Sequence, residues 1–352
     1  MDSQMVKISK LCDESIKGKL LNKEEILELL VCDEQSAAMV FAAADRVRQQ
    51  EMGDDVHLRG LIEFSNYCKR NCEYCGLRRG NKNIERYRLE TDEIIDTAIN
   101  AEKLGYRSVV LQSGEDPYYT VEKICRVVEG IKAKTDLAVT LSCGEFSYDE
   151  YKLMKEAGAD RYLIRFETSN KELYQKLHPD SVFEERLECL RNLRKLDYQV
   201  GSGFMVGLPG ETHEIIADNL LLLKELDVDM AGIGPFIPNP DTGLAGESGG
   251  KLLDALKAVA IARLLLRNAH LPATTAMGSL DPKGREKALC AGANVVMPNV
   301  SPMRFRELYA LYPNKICVTD DPGHCRNCIT GKIKALGRSV STEHGHSLKK
   351  KV

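Results

Sequence analysis

The sequence predicts an α/β chain folded as a (β/α)8 TIM barrel. An N-terminal helical cap covers residues 1–57, the barrel 58–312, and a C-terminal segment with a second cysteine group 313–352. Three observations carry this. From residue 58 onward, eight short β-branched or apolar runs alternate with amphipathic helical stretches. An open doubly wound sheet rarely reaches eight such regular units. A cysteine-rich loop, Cys68-Lys-Arg-Asn-Cys72-Glu-Tyr-Cys75, directly follows the first run. In a barrel that places it at the carboxyl ends of the strands, where active sites form.

The first segment reads as helices. Leu21 to Leu30 has Asn22 as a cap and apolar residues three and four apart, and Ser36 to Gln50 continues with alanine-rich packing. The strand candidates are 60–66, 108–113, 138–142, 161–167, 200–206, 230–236, 272–277 and 294–298. Helical stretches lie between them at 91–104, 121–132, 183–196, 214–226 and 252–268. The basic run Lys349-Lys-Lys351 reads as a frayed, solvated tail.

Composition narrows the function. A formal charge of −3 is too neutral for an electrostatic nucleic-acid binder. No apolar run approaches the ~18 residues a membrane span needs. The first residues are polar and charged, unlike a secretory signal. Twelve cysteines spread through long helical patterns point to a reducing, cytoplasmic setting, not to a small disulfide-stapled domain.

The C-x3-C-x2-C run therefore reads as a metal site. Zinc sites usually pair four ligands in two separated couples, and the nearest histidine, His57, precedes the strand. Thiolates are the usual ligands of iron–sulfur clusters. Three of them crowding one loop leave one iron of a four-iron cluster free. With Tyr74 before the last cysteine, the run resembles the signature of the radical S-adenosylmethionine (SAM) superfamily. The resemblance implies a [4Fe–4S] cluster on Cys68, Cys72 and Cys75. It also implies SAM on the fourth iron, cleaved by one electron to methionine and a 5′-deoxyadenosyl radical.

Other strand ends carry residues odd for a loop and sensible for a site: Gln112-Ser-Gly-Glu-Asp116, Ser142-Cys-Gly-Glu145, and Arg161-Tyr-Leu-Ile-Arg165-Phe-Glu167. Arg161 and Arg165, four apart, point to one side of a strand and need anionic partners. Glu167, Asp160 or ligand carboxylates would all serve. Single methionines, and Tyr309 and Tyr312, fit core packing as well as a ligand pocket. Near the end, Cys317, Cys325 and Cys328 form a C-x7-C-x2-C group. It suits a second iron–sulfur cluster, [2Fe–2S] or [4Fe–4S], completed by His324 or an outside ligand; zinc also fits. Cys12, Cys32, Cys125, Cys143, Cys189 and Cys290 read as buried hydrophobes, with Cys143 distinguished only by its position.

Longer strings resemble one branch of the superfamily. They are Ile62-Glu-Phe-Ser-Asn66, Cys75-Gly-Leu-Arg-Arg79, Leu111-Gln-Ser-Gly-Glu-Asp-Pro117, Gly232-Ile-Gly-Pro-Phe-Ile-Pro238 and Pro272-Ala-Thr-Thr-Ala-Met-Gly278. With the terminal cysteine group they resemble the HydE maturases of [FeFe]-hydrogenase, over roughly residues 20 to 335. That resemblance implies work on assembly of the H-cluster, on a cysteine-bound iron carbonyl–cyanide complex attacked at sulfur. The partner maturases would be HydG and HydF, with ferredoxin or flavodoxin as reductant. It implies Tyr74 near the adenine, and Glu167 and Arg186 on SAM. Arg161 and Arg165 would hold a substrate carboxylate, and Met230, Thr275 and Tyr309 would line the substrate pocket at the mouth. Cys317, Cys325 and Cys328 would take the accessory cluster. Biotin synthase resembles the chain at Gly203-Phe-Met-Val-Gly-Leu208, but needs a cluster held by cysteines on strands three to five. Methylornithine synthase shares the barrel and first motif without the terminal cysteines. A non-catalytic carrier of an iron complex would need no radical generator.

Overall fold

The computed structural model describes residues 3–349. Eight strands are β1 (Asp55–Ser65), β2 (Ser108–Ser113), β3 (Ala138–Ser142), β4 (Arg161–Leu163), β5 (Gln199–Val206), β6 (Met230–Pro235), β7 (Val295–Val296) and β8 (Ser339–Val340). The helices before the barrel are α1 (Ser3–Ile16), α2 (Lys23–Val31) and α3 (Glu34–Met52). Those that alternate with strands are α4 (Thr91–Lys103), α5 (Val121–Lys134), α6 (Tyr148–Glu156), α7 (Lys171–Leu177), α8 (Phe183–Lys195), α9 (His213–Glu225) and α10 (Leu252–Leu266). Short helices α11 (Thr275–Leu280), α12 (Gly284–Cys290) and α13 (Met303–Arg306) follow, and then α14 (Pro322–Ala335).

All pairings between these strands are parallel, in the order β6-β5-β4-β3-β2-β1-β7. The curled sheet is the expected α/β barrel in a partial form. Between β6 and β7 only single bridges remain, Met230 to His270 and Pro272 to Val295. The expected strand over 272–277 is thus reduced to its first residues. Pro272 has no N–H to give a ladder, and at Thr275 the chain has already turned into α11. β4 is short by ladder, yet Ile164 N and Phe166 N still donate to Gly201 O and Gly203 O, so it runs on to Glu167 as expected.

The N-terminal helices form where the cap and spacing place them. Asn22 Oδ1 accepts from Glu25 N at 2.9 Å while Glu25 Oε2 accepts from Asn22 N at 3.0 Å, a reciprocal box that starts α2. They lie on the outside of the barrel, against α10, not over its mouth. Lys257 of α10 donates to the Leu30 and Cys32 carbonyls at 3.0 and 2.5 Å, and Arg267 pairs with Glu51 at 2.6 Å. α10 is consequently buried nearly all round.

The C-terminal tail is docked, not frayed, as far as it is described; Lys350 and Lys351 lie outside the described residues. β8 pairs with the start of β1, and residues 344–347 then cross the amino ends of the strands, the barrel floor. Arg161 donates to His344 O at 2.8 Å, Arg59 to Gly345 O at 3.1 Å, and Ser347 Oγ to Asp229 at 2.5 Å. Lys349 pairs with Asp227 at 2.5 Å. Buried guanidinium groups supply what holds this stopper: fixed donors that must find acceptors once removed from water.

Candidate active site at the barrel mouth

The cysteine loop leaves β1 at the carboxyl end of the sheet and is fastened on all sides. Lys69 N donates to Glu115 O at 2.8 Å, Glu73 N to Leu177 O at 2.9 Å, and Gly76 N to Leu311 O at 2.9 Å. Arg86 gathers carbonyls from within the loop, including Leu77 O at 2.9 Å and Arg78 O at 2.8 Å. Two glycines make the approach close enough. A methyl group on Gly114 would stand 2.2 Å from the Tyr67 carbonyl oxygen and 2.8 Å from Cys68 Cβ. One on Gly76 would stand 2.1 Å from Ala310 O.

Within this frame the three thiols are half-buried and close enough to repel one another as anions. Burial, then that mutual repulsion, pushes Cys72 far up and Cys75 up to about 12; burial also raises Cys68. Such a triad is neutral unless positive charge arrives, which iron supplies. Cys68 Sγ already accepts backbone N–H from Arg70 and from Glu115, each at 3.4 Å, the kind of donor that stabilises cluster sulfur. Among the described residues, the one trio of His, Cys, Asp or Glu donor atoms drawn within 4.8 Å of one another is elsewhere, at Cys317, Asp320 and Cys325. The three loop sulfurs are spread wider than that, which suits ligands on separate irons better than a single ion.

Behind the loop runs a buried charge network. Arg70 pairs with Glu115 at 2.8 Å and with Glu145, and Glu145 pairs with Arg186 at 2.6 Å. Arg186 also donates to the Arg165 carbonyl. Tyr74 is anchored by His178, whose Nε2 lies 3.0 Å from the phenol oxygen and whose Nδ1 lies 3.1 Å from Tyr174 O. A carbonyl can only accept, so Nδ1 carries the proton and Nε2 accepts from Tyr74. Burial, with Arg186 nearby, lowers His178 to about 3, so the ring stays neutral. Tyr74 packs with Leu173, Leu177, Met205, Leu208 and Phe236 in an apolar patch separate from the main core.

Next to it, Glu167 adopts a left-handed backbone, φ 65°, unusual for a residue with a side chain and typical of functional sites. Its carboxylate meets Arg165 Nη2 at 2.9 Å. The alignment leaves Glu167 Oε2 and Arg165 Nε and Nη2 buried without a hydrogen bond. Burial raises the Glu167 carboxyl, against the pull of Arg165 and then Arg186. Buried polar atoms left this way cost stability unless a further partner engages them.

Across the mouth, residues 309–317 form a strap. Asn239 Nδ2 donates to Leu311 O at 3.1 Å, and Lys315 Nζ pairs with Glu63 at 2.5 Å inside the barrel. Asn299 Nδ2 holds the other Glu63 oxygen at 2.6 Å. Tyr309 is buried beneath, its hydroxyl 3.3 Å from Gln112 Nε2. Thr275 opens α11 at the same end.

Arg165, Glu167, Arg186, Tyr74 and Tyr309 thus lie near the cysteine loop, while Thr275 is placed only at the start of α11. Arg161 and Met230 lie away from the loop. Each is the first residue of its strand, so its side chain lies at the barrel floor. Arg161 reaches Ser108 Oγ at 3.0 Å and the tail at His344, while Met230 Sδ sits 3.2 Å from Arg59 Nη1. The four-residue spacing with Arg165 keeps both arginines on one face, but moves them about 13 Å along the strand. Cys328 also departs from expectation: it is exposed and outside the Cys317–Asp320–Cys325 group. Residues not assigned a role from sequence are Glu63, Arg70, Glu115, Glu145, His178 and Lys315. A lone glutamate in an apolar strand was the available signal for Glu63.

A curled parallel sheet with a three-cysteine loop on its first strand defines a radical SAM protein. The Radical SAM superfamily model matches residues 62–223. The chain is 50% identical over 333 residues to "[FeFe] hydrogenase maturase subunit HydE" of Thermotoga maritima, covering 94% of this chain and 95% of that protein. It is 30% identical to 3-methylornithine synthase of Methanosarcina acetivorans, covering 81% of each. The solved structure of methylornithine synthase (PylB) superposes with a TM-score of 0.83 at 27% identity, covering 94% of this chain and 97% of that one. The chain belongs to the HydE family and is a radical SAM enzyme. Among the described residues no helix is long and apolar enough to cross a membrane.

Proposed function

We propose that this enzyme matures [FeFe]-hydrogenase, acting in the cytoplasm on a sulfur-bearing substrate, a cysteine-bound iron carbonyl–cyanide complex, as part of H-cluster assembly. The observation that carries the reading is the cysteine loop at the barrel mouth in a chain half identical to a HydE protein along nearly its whole length. HydG would supply the complex, HydF would receive the product, and a ferredoxin or flavodoxin would give the electron. Cys68, Cys72 and Cys75 would hold a [4Fe–4S] cluster. When bound, such a cluster would supply the one-electron reduction that cleaves SAM.

The chain's own residues do the rest. Tyr74 and its apolar patch offer a face for adenine, held in orientation by neutral His178. Glu167 accepts from the SAM ammonium or ribose, and Arg186 fixes the strand end behind it through the Arg165 carbonyl. Arg165 offers its unused N–H groups to a substrate carboxylate. Thr275 and Tyr309 bound the substrate chamber. The strap, closed by Lys315 on Glu63, excludes water from a radical that would otherwise be quenched.

The test is activation of metal-free-subcluster hydrogenase by reduced enzyme, SAM and the partner maturases, compared for wild type and Arg165→Ala. Arg165→Ala should raise the substrate concentration needed at least about tenfold, the effect of losing ~1.4 kcal/mol of charge-assisted binding, with SAM affinity changed much less. Equal weakening of both would move Arg165 into the SAM site. Failure of the wild type to activate, with SAM cleavage intact, would point to another substrate.

A further inference from the structure

The arginines around the cysteine loop are almost all matched by carboxylates. Arg70 meets Glu115 and Glu145, Arg78 meets Glu73 at 2.8 Å, Arg79 meets Asp180 at 3.2 Å, and Arg88 meets Asp116 at 2.7 Å. Arg165 and Arg186 have Glu167 and Glu145. Arg86 is the exception. Its guanidinium donates to four carbonyls: Asn66 O, Leu77 O at 2.9 Å, Arg78 O at 2.8 Å and Asn81 O at 3.3 Å. Among the described residues no carboxylate pairs with it. Carbonyls satisfy its N–H groups but bring no opposing charge, and an arginine does not shed its proton.

The carbonyls fix where that charge sits. Asn66 lies just before Cys68 in the chain and Leu77 just after Cys75, so the half-buried guanidinium ties together both ends of the loop that carries the three thiols. It stands 6.0 Å from the centre of the Tyr67 ring. Burial lowers its pKa, and the sulfurs of Cys68 and then Cys75 work against that burial. A side chain needed only to tie the loop could be neutral, because an amide N–H₂ also donates to carbonyls.

We propose that Arg86 is a positioning residue for electron entry: a fixed, uncompensated positive charge beside Cys68 and Cys75 that raises the reduction potential of the cluster they hold. This rests on the iron–sulfur reading of the loop and not on the choice of substrate. Three thiolates leave an oxidised four-iron core net negative, and reduction adds one more negative charge. A nearby cation stabilises the reduced form more than the oxidised one, and so raises the potential. The paired arginines largely cancel against their own carboxylates. Arg86 does not, and its four hydrogen bonds keep it from swinging out to solvent. No bond forms or breaks in this step; one electron passes from an external one-electron donor to the cluster.

A redox titration of the reconstituted enzyme without SAM, followed by the electron paramagnetic resonance of the reduced cluster, tests this with Arg86→Gln and Arg86→Lys. Both variants lose the guanidinium fork; only lysine keeps the charge. Arg86→Gln should lower the equilibrium constant for one-electron reduction at least about tenfold, which is about 59 mV for a one-electron couple. Arg86→Lys should stay within about threefold of wild type. SAM cleavage by Arg86→Gln should fall with a donor poised near the wild-type potential and recover with the stronger reductant titanium(III) citrate. Equal potentials in the two variants, a wild-type potential in Arg86→Gln, or loss of the cluster from both would overturn the proposal, the last leaving Arg86 a fastener of the loop. A wild-type enzyme that holds no four-iron cluster would instead remove the reading of the loop itself, and none of these results bears on the hydrogenase substrate.

Discussion

Replacing Cys72 with alanine is expected to lower SAM cleavage by more than about 1000-fold, ~4 kcal/mol on the barrier. The three thiols of the loop have no local substitute. Cys143 is buried at the end of β3 and accepts no loop N–H, and Cys125 and Cys189 lie on the outer helices α5 and α8. Backbone bonds from Glu115, Leu177 and Leu311 hold the loop against the sheet, so it cannot slide another ligand into place. The measurement is 5′-deoxyadenosine released by reconstituted, reduced protein. Exposed Cys290→Ala, far from the loop in sequence and structure, is the control and should cleave SAM as wild type does. Cleavage surviving in Cys72→Ala would end the radical assignment. Folding should be nearly unaffected, because the loop's fastenings are mainly backbone.

The second large effect concerns Glu63 and Lys315. Both side chains are almost fully buried, at 1% and 9% exposure, and they meet at 2.5 Å. Burial raises the Glu63 carboxyl, while Lys315, then Asn299, lower it again. A buried charge without its partner is far costlier than the pair is valuable. Lys315→Met should therefore cost about 3–5 kcal/mol of stability by denaturant unfolding, or release the strap. The double variant Glu63→Gln with Lys315→Met should recover most of that loss, since neither charge is left alone. If the strap is what excludes water, Lys315→Met should also raise 5′-deoxyadenosine formed without product. Additive losses in the double variant would show that the two groups are not coupled.

Much of this was legible in the sequence, and the reasons are local. The cysteine loop, its position after the first strand and the Asn22 cap are short-range patterns whose physics is complete within a few residues. Glu167 and Arg165 stand out because charged residues end an apolar strand. What was not legible depends on depth and distance. Strand periodicity assigns Arg161 and Arg165 to one face, but not to opposite ends of the barrel. The seventh strand reads as apolar and Thr-rich, yet Pro272 breaks its ladder and leaves only bridges. The docked tail, the Lys315–Glu63 pair and the His178 anchor for Tyr74 join residues 104 to 252 positions apart, or close the floor of a barrel that only the folded chain defines.

The most direct test of the central claim is electron–nuclear double resonance on the reduced enzyme mixed with SAM labelled with 15N in its amino group and 17O in its carboxylate. The account predicts strong coupling of both labels to the cluster, because Cys68, Cys72 and Cys75 leave one iron for SAM. A cluster showing no coupling to either label, or a fourth protein ligand on that iron, would contradict it.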